Sequence, residues 1–475
     1  LGTSTIMKGA GNLVSGSTVS ISNDMVLTSN ATAINALNNT FTMTGDISGA
    51  FSLITGGGHT GGVPSGTIIF TGNNSYGDTF IDAGTLQIGN GGTSGTLGTG
   101  SVNNSSALSI NRSDTLIIPG SISGSGSLTQ AGTGTSILEG NNSYTGGTTI
   151  SAGTLQVGNG GATGTITNNI LNNAALVFNS SGSFTYSDII SGTGTVTKSG
   201  AGGVTLSGAN TYSGNTTLTA GTLTIDSDST GSITNGPLGT GSLIMTGGTL
   251  ASSGAHSIAN PYTINGTVEL VGSSGMTLSG NGNLSSGSLD ATSGTVILSG
   301  DLIGAGGLMK SGTGTLDISG TDNSVFSGDT TLSAGSLRLF SATNGFGSGQ
   351  LLLNGGTLQV VSNASFANDY TVNGNVVLFH SGTGTTTNLT GNGNLNSGSL
   401  SFSQNNNETY LDGNLTGSAP IFIGGGRTVT FAGADNSGYS GDITINGQTR
   451  ASTATNAMGT GDLILQAGLL NGTGG

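Results

Sequence analysis

The sequence predicts an all-β fold, a parallel β-solenoid of short coils. Three observations carry this: the composition, a period-two pattern in short apolar runs, and a motif that returns at related spacings. The chain has 475 residues, with 92 Gly, 5 Pro, 6% charged residues, no Trp and no Cys. So much Gly with so little charge first suggests low complexity. Disordered chains, however, are rich in Pro, Glu and Lys and poor in β-branched residues. This chain is rich in Thr, Val, Ile and Leu, spaced in pairs between turn residues, which is a strand-and-turn composition.

The motif appears five times. GNNSYGDTFIDAGTLQIGNGG starts at Gly72, GNNSYTGGTTISAGTLQVGNGG at Gly140 and GANTYSGNTTLTAGTLTI at Gly208. GTDNSVFSGDTTLSAGSLRL starts at Gly320, and GADNSGYSGDITINGQTRA at Gly433. The anchoring aromatics are Tyr76, Tyr144, Tyr212, Phe326 and Tyr439, so two equal short spacings are followed by two longer, nearly equal ones. Roughly 22.7 residues divides all four spacings, which lies in the range of solenoid repeats. The spacing thus predicts about 21 coils of roughly 22–23 residues, with the motif on every third and then every fifth coil. One continuous solenoid over 1–475 follows, with internal units near 1–71, 72–139, 140–207, 208–319, 320–432 and 433–475. A second phrase agrees, since NPYTINGTVELV at Asn260 returns as NDYTVNGNVVLF at Asn368.

Each element of a coil follows in order. Before the Asn turn, Val204 and Leu206 alternate with Thr205 and Ser207, and the pairs Leu316 with Ile318 and Val429 with Phe431 repeat this. Successive strand side chains take opposite faces, so each pair points to one side. The turn carries Asn73-Asn74, Asn141-Asn142, Asn210, Asn323 and Asn436. Asn tolerates a left-handed backbone and, in register, can stack into amide ladders. The structural repeat positions are therefore Asn74, Tyr76, Asn142, Tyr144, Asn210, Tyr212, Asn323, Phe326, Asn436 and Tyr439. A strand through Ile150, a small Ala-Gly corner and a strand through Leu155 and Val157 complete the coil. Helix spacing at i, i+3, i+4 is not sustained, so essentially no α-helix is expected.

The phrase GTGT…LSG followed by N-x-Y-[ST]-G-x-T-T-[ILV]-x-A-G-T-L-x-[IV] resembles the autotransporter-associated β-strand repeat of bacterial passenger domains. It matches at Gly132–Val157, Gly202–Ile225, Gly314–Gly335 and, more loosely, Gly66–Ile88. The fifth copy departs: Gly447 replaces the Ala, and Gln448-Thr449-Arg450 replace G-T-L. The resemblance implies a right-handed parallel β-helix displayed on a bacterial surface and linked to adhesion, aggregation or biofilm. The family's membrane barrel would lie outside these residues, because no series of amphipathic ten-residue strands with aromatic girdles closes the sequence. LGTSTIMKGAGNL at Leu1 matches LGTGSLIMTGGTL at Leu238, FGSGQLLLNGGTL at Phe346 and MGTGDLILQAGLL at Met458. The chain therefore starts and stops in one phase, as expected of a window in a longer solenoid or of a subunit stacking head to tail.

Charge and motifs exclude several functions. The net charge is −14, from 21 acids and 7 bases, so neither a nucleic-acid groove nor a polybasic lipid patch is expected. No apolar run spans a membrane. Zero Cys removes thiolate chemistry. The Ca²⁺-binding nonapeptide is absent. His59, His256 and His380 lie outside any metal or nucleophile motif and read as surface or turn residues. Asp226 and Asp228 alternate and could hold a cation, although a solvated turn explains them as well. Asp78, Asp329 and Asp442 share a repeat position occupied elsewhere by Gly147 and Asn215, which fits a turn role. Lys198 and Lys310, at matching positions, read as edge lysines that discourage lateral pairing. Arg112, Arg338, Arg427 and Arg450 are dispersed. No catalytic residue, metal or cofactor is expected. The expected function is an extracellular structural or adhesive solenoid: a fibre, stalk or scaffold that self-associates or adjoins further segments. A glycan-binding adhesin is the alternative, with Tyr76, Tyr144 and Tyr212 either stacking exposed along a face or packing over adjacent strands. A β-helix polysaccharide-degrading enzyme is disfavoured by seven bases and no Trp.

Overall fold

The computed structural model describes residues 4–30, 32–56, 66–229, 233–340, 344–382, 384–403, 407–451, 456–467 and 469–472. Among them every regular element is a β-strand and every strand ladder is parallel. The expected all-β parallel solenoid of about 21 turns is therefore what forms. The chain divides into two compact units, Leu1–Ser227 with Ile233–Gly241, and Asp228–Ser232 with Ser242–Gly475.

In each unit the alternating apolar residues line a narrow interior. Val204, Leu206, Ile150, Leu155 and Val157 are buried in the first unit; Leu316, Ile318, Val429 and Phe431 are buried in the second. Each strand is too short to enclose these side chains alone. Stacking on the turns above and below does so, and stability accumulates over such interfaces.

Register sets the turn length. In the first unit Thr79 pairs with Val102, and Val102 with Ile122. Thr148 pairs with Ile170, and Ile170 with Ile190. Thr135 pairs with Thr154, and in the second unit Ile421 pairs with Ile443. These pairings make one turn roughly 19–23 residues long, at the short end of what the motif spacing predicts and within the range of solenoid repeats. Looped excursions lengthen individual turns, as between Asn210 and Gly236.

The motif does not return to the same wall. After the first motif copy, Thr79 lies in a six-stranded sheet that ends at Ile122–Ser123. After the second copy, Thr148 lies in a different, nine-stranded sheet that ends at Ile190–Ser191. The step from one copy to the next is thus three turns plus one wall, not three turns. The second unit repeats the rule over a longer wall. Thr330 pairs successively to Leu351, Tyr370, Gly393 and Leu415, and the next copy's Ile443 lies one wall further on, beside Ile421.

Candidate functional site

Each motif copy ends one wall. The last strands of the walls are Ile47–Ser48, Ile122–Ser123, Ile190–Ser191, Leu302–Ile303 and Leu415–Gly417. The chain lying next to each is an Asn-to-aromatic segment of the motif. Ser75, Ser143, Thr211, Ser327 and Ser440 donate backbone N–H groups to Ile47, Ile122, Ile190, Gly304 and Gly417. The strand ladder would stop there with an orphan amide, which is costly when buried.

The repeat Asn supplies the missing partner. Asn74 Oδ1 accepts from Ile47 N at 2.8 Å, and its Nδ2 donates to Thr96 O at 2.6 Å. Asn142 joins Ile122 N at 2.9 Å to Thr165 O at 3.0 Å. Asn210 joins Ile190 N at 2.7 Å to Pro237 O at 2.8 Å. Asn323 joins Leu302 N at 2.7 Å to Gly345 O at 2.9 Å. Asn436 joins Leu415 N at 2.6 Å to Ala457 O at 2.5 Å. A carboxamide carries an acceptor oxygen and two N–H donors, so it substitutes for a peptide group on both sides. Each Asn rivets the turn before it to the turn after it.

This corrects two expectations for Asn. None of the five repeat Asn residues has positive φ; among the described residues the non-Gly residues that do are Leu37, Ile233, Asn344 and Asn456. Nor do the five stack on one another, because each bonds backbone groups about a turn away on either side.

The aromatics are interior. Tyr76, Tyr144, Tyr212, Phe326 and Tyr439 each have 0% exposure. The exposed tyrosine ladder considered for sugar stacking therefore does not exist at these positions; the rings fill the interior beneath the wall's end. In the first three copies the hydroxyls bond a strand Thr: Tyr76 with Thr79 at 3.0 Å, Tyr144 with Thr148 at 2.6 Å and Tyr212 with Thr216 at 2.5 Å. Burial pushes the Tyr76 phenol up to about 12 despite its bond to Thr79. The later copies break the pair from opposite sides. Phe326 has no hydroxyl, and the buried Thr330 Oγ1 has no partner. In the fifth copy Ile443 replaces the Thr, and Tyr439 donates to Ala419 O at 3.0 Å instead.

The L-G-T-G phrase or a close variant lies on the turn above Tyr76, Tyr212, Phe326 and Tyr439, and is absent above Tyr144. Leu97, Leu238 and Phe346 are buried, and Gly239 sits with φ +64, where a Cβ would meet the Tyr212 ring at 2.9 Å. Only glycine fits both the conformation and the contact. Thr99, Thr240, Ser348 and Thr460 then donate N–H to the carbonyl of the aromatic residue at 2.8–2.9 Å. Asp78, Asp329 and Asp442 cap the same upper turn by accepting from Ser101 N, Gln350 N and Asp462 N at 2.8, 2.8 and 3.1 Å.

The lysine reading is corrected. Lys198 and Lys310 are 1% and 0% exposed and point inward at a corner. Lys198 Nζ donates to Gly200 O and to Ala220 O at 3.2 Å; Lys310 Nζ donates to Ser311 O and to Gly312 O at 3.0 Å. Burial lowers the Lys198 pKa to about 8 and moves Lys310 in the same direction. Gln130 holds the corresponding corner through Gly132 O at 2.8 Å. The shared phrase is QAGTG, KSGAG and KSGTG, a signal present in the sequence that marks an interior corner rather than an edge.

The remaining candidates do not converge. His59 lies outside the described residues, as does the Arg427 side chain. His380 is buried rather than superficial, with Nδ1 at 3.1 Å from Thr385 Oγ1 and Nε2 at 3.3 Å from Thr387 Oγ1. His256 Nδ1 lies 3.3 Å from Asp228 Oδ1, an oxygen already accepting from Ser257 N at 2.8 Å. Asp226 is exposed. Arg112 forks onto Asp114 at 2.8 Å and also bonds Gly95 O and Thr93 O, while Arg338 forks onto the buried Asp317. Both arginines thus work inside the scaffold. No group of three or more His, Asp and Glu suited to a metal occurs among the described residues.

A family model described as passenger-associated-transport-repeat matches residues 65–88, 128–157, 196–225 and 308–339. These segments hold all or most of the first four motif copies; the divergent fifth lies outside them. Over 218 residues the chain is 43% identical to the adhesin BmaC autotransporter of Brucella suis biovar 1 (strain 1330). That alignment covers 42% of this chain and 6% of the relative's length. No solved structure matches.

Proposed function

Because this chain belongs with the autotransporter passenger-repeat proteins, we propose that it is an extracellular, surface-displayed adhesive scaffold and not an enzyme. The observation that carries this reading is the use made of the motif. In all five copies its Asn spans three successive turns and its aromatic is interior, so the repeated polar chemistry fastens turn to turn instead of lining a cleft. The repeat carboxylates Asp78, Asp329 and Asp442 are likewise committed to backbone amides. A relative of this sequence is named an adhesin, which supports the same reading.

The test is adhesion by the isolated chain. Beads coated with all 475 residues are expected to bind extracellular-matrix or epithelial surfaces above beads coated with an unrelated acidic protein. Retention equal to that control would overturn the adhesive reading.

A further inference from the structure

The fifth motif copy, where the sequence departs from the pattern, builds a surface that the other copies lack. In it Ile443–Ala451 runs straight through Gly447 as one strand. Gln448 and Arg450 face outward from it. On the preceding strand they stand beside Thr428 and Thr430, which stand beside Glu408 and Tyr410. Beyond these come Thr386 and Asn388. The two threonines are short, 8% and 7% exposed, and sit between longer side chains on both sides. The flanking strands are two spacings apart, roughly 10 Å. The result is a trough one chain wide.

Two features distinguish the trough from an ordinary solvated face. Thr430 Oγ1 and Asn388 Oδ1 are shielded from solvent and have no hydrogen-bond partner, an arrangement that native structures seldom tolerate. Arg450 also differs from its counterpart in the fourth copy. There, Arg338 stands beside the buried Asp317 and forks onto it. Arg450 stands beside Thr430, and its carboxylate partner is Glu408, one strand further away, at 3.7 Å. That pair, about 40% exposed on both sides, reaches across the Thr428–Thr430 strand and is a loose clasp. Tyr410, whose hydroxyl donates to Glu408 at 3.0 Å, forms the aromatic side of the trough.

We propose that this trough binds a neutral, hydroxyl-rich saccharide chain; the proposal rests on the adhesive reading above. Glu408 and Arg450 cancel in charge, so the site favours neither a polyanion nor a polycation. Sugar hydroxyls both donate and accept, matching a carboxylate, a guanidinium, the Gln448 and Asn388 amides and the Thr430 hydroxyl. An apolar sugar face suits the Tyr410 ring. Opening the weak clasp gives the unpartnered groups their hydrogen bonds, so the ligand gains where the free protein is unsatisfied.

Tyr410 provides the readout. The chain has eight Tyr and no Trp, and the other seven tyrosines are buried. The full chain is titrated with cellohexaose, maltohexaose, mannohexaose and galactohexaose, and with hexagalacturonate as the acidic comparison. Expected are calorimetric saturation by at least one neutral hexaose and protection of Tyr410 from nitration. Arg450→Ala should weaken binding roughly tenfold or more. Gln156→Ala, at an outward position in the second copy, should leave it unchanged. Should Arg450→Ala lose cooperative melting, the exposed Gln448→Ala carries the same comparison. No binding, binding of hexagalacturonate alone, or affinity indifferent to both trough variants would overturn the proposal. Bead adhesion that survives Arg450→Ala together with absent hexaose binding would sink the trough and spare the adhesive reading. Hexaose binding without bead adhesion would do the reverse.

Discussion

At the scale of the residue, this chain uses amides and hydroxyls as internal fasteners. Asn142 shows the consequence. Replacing it with Leu leaves Ile122 N without a partner inside the wall, while Thr165 O keeps the backbone N–H of residue 142. An unsatisfied buried group costs about 1–3 kcal/mol, so Asn142→Leu should destabilise by about that much. Denaturant unfolding checks this, and an unchanged midpoint would refute the rivet. Phe326→Tyr should act in the opposite direction. It places a hydroxyl near the unpartnered Thr330 Oγ1, re-creating the Tyr144–Thr148 arrangement. A gain of about 0.5–1.5 kcal/mol is expected, read as a higher melting temperature.

At the scale of the element, the corner decides whether two strands form or one. Gly84, Gly153, Gly221 and Gly335 occupy the corner in four copies, with φ between +62 and +69. A Cβ at Gly221 would lie 2.3 Å from Gly200 O. Gly221→Ala should therefore cost more than the usual penalty of about 1–2 kcal/mol for a left-handed residue. Proteolysis within Thr216–Ile225 would report the opened corner. In the fifth copy the register puts Gly447 at this position, and the strand Ile443–Ala451 runs on through it without a corner. The five motif copies were legible in the sequence. The wall change was not. A sequence spacing only counts residues, and the distance from Tyr76 to Tyr144 divides equally well into three long turns or into three shorter turns plus one wall. Only the pairings Thr79–Val102–Ile122 and Thr148–Ile170–Ile190 separate the two.

At the scale of the whole molecule, buried ionisable groups set the pH response. Lys198 loses its proton near 8 in the folded chain but near 10.5 when unfolded. Between those values the unfolded state holds more protons, so stability should rise with pH. Seven buried tyrosines act oppositely. Burial raises the pKa of Tyr76, Tyr144, Tyr186, Tyr212, Tyr262, Tyr370 and Tyr439 above 10, so above that pH the folded state holds more protons and stability should fall. Denaturation midpoints from pH 7 to 12 should climb gently from about 8 and then drop steeply beyond about 10. Lys198→Gln, borrowing the residue found at Gln130, should flatten the climb and keep the drop. Lys198 and Lys310 are also sealed from proteases, so limited trypsin digestion of the folded chain should leave both bonds uncut.

The sequence by itself determined the architecture. Alternating Val, Ile and Leu between Gly and Asn corners leave strands too short to fold alone and apolar on one side. Stacking similar turns is the arrangement that buries that side throughout. Tertiary structure alone decided which polar residues face inward. Lys198 and Lys310 read as edge residues in one dimension, because charge normally marks exposure. A narrow solenoid exposes carbonyls and amides to its own interior at every corner and wall end, and those groups make a buried lysine, amide or phenol favourable. The same physics runs outward at Thr430, where two neighbouring turns bring Arg450 and Glu408 together over a hydroxyl that neither of them satisfies.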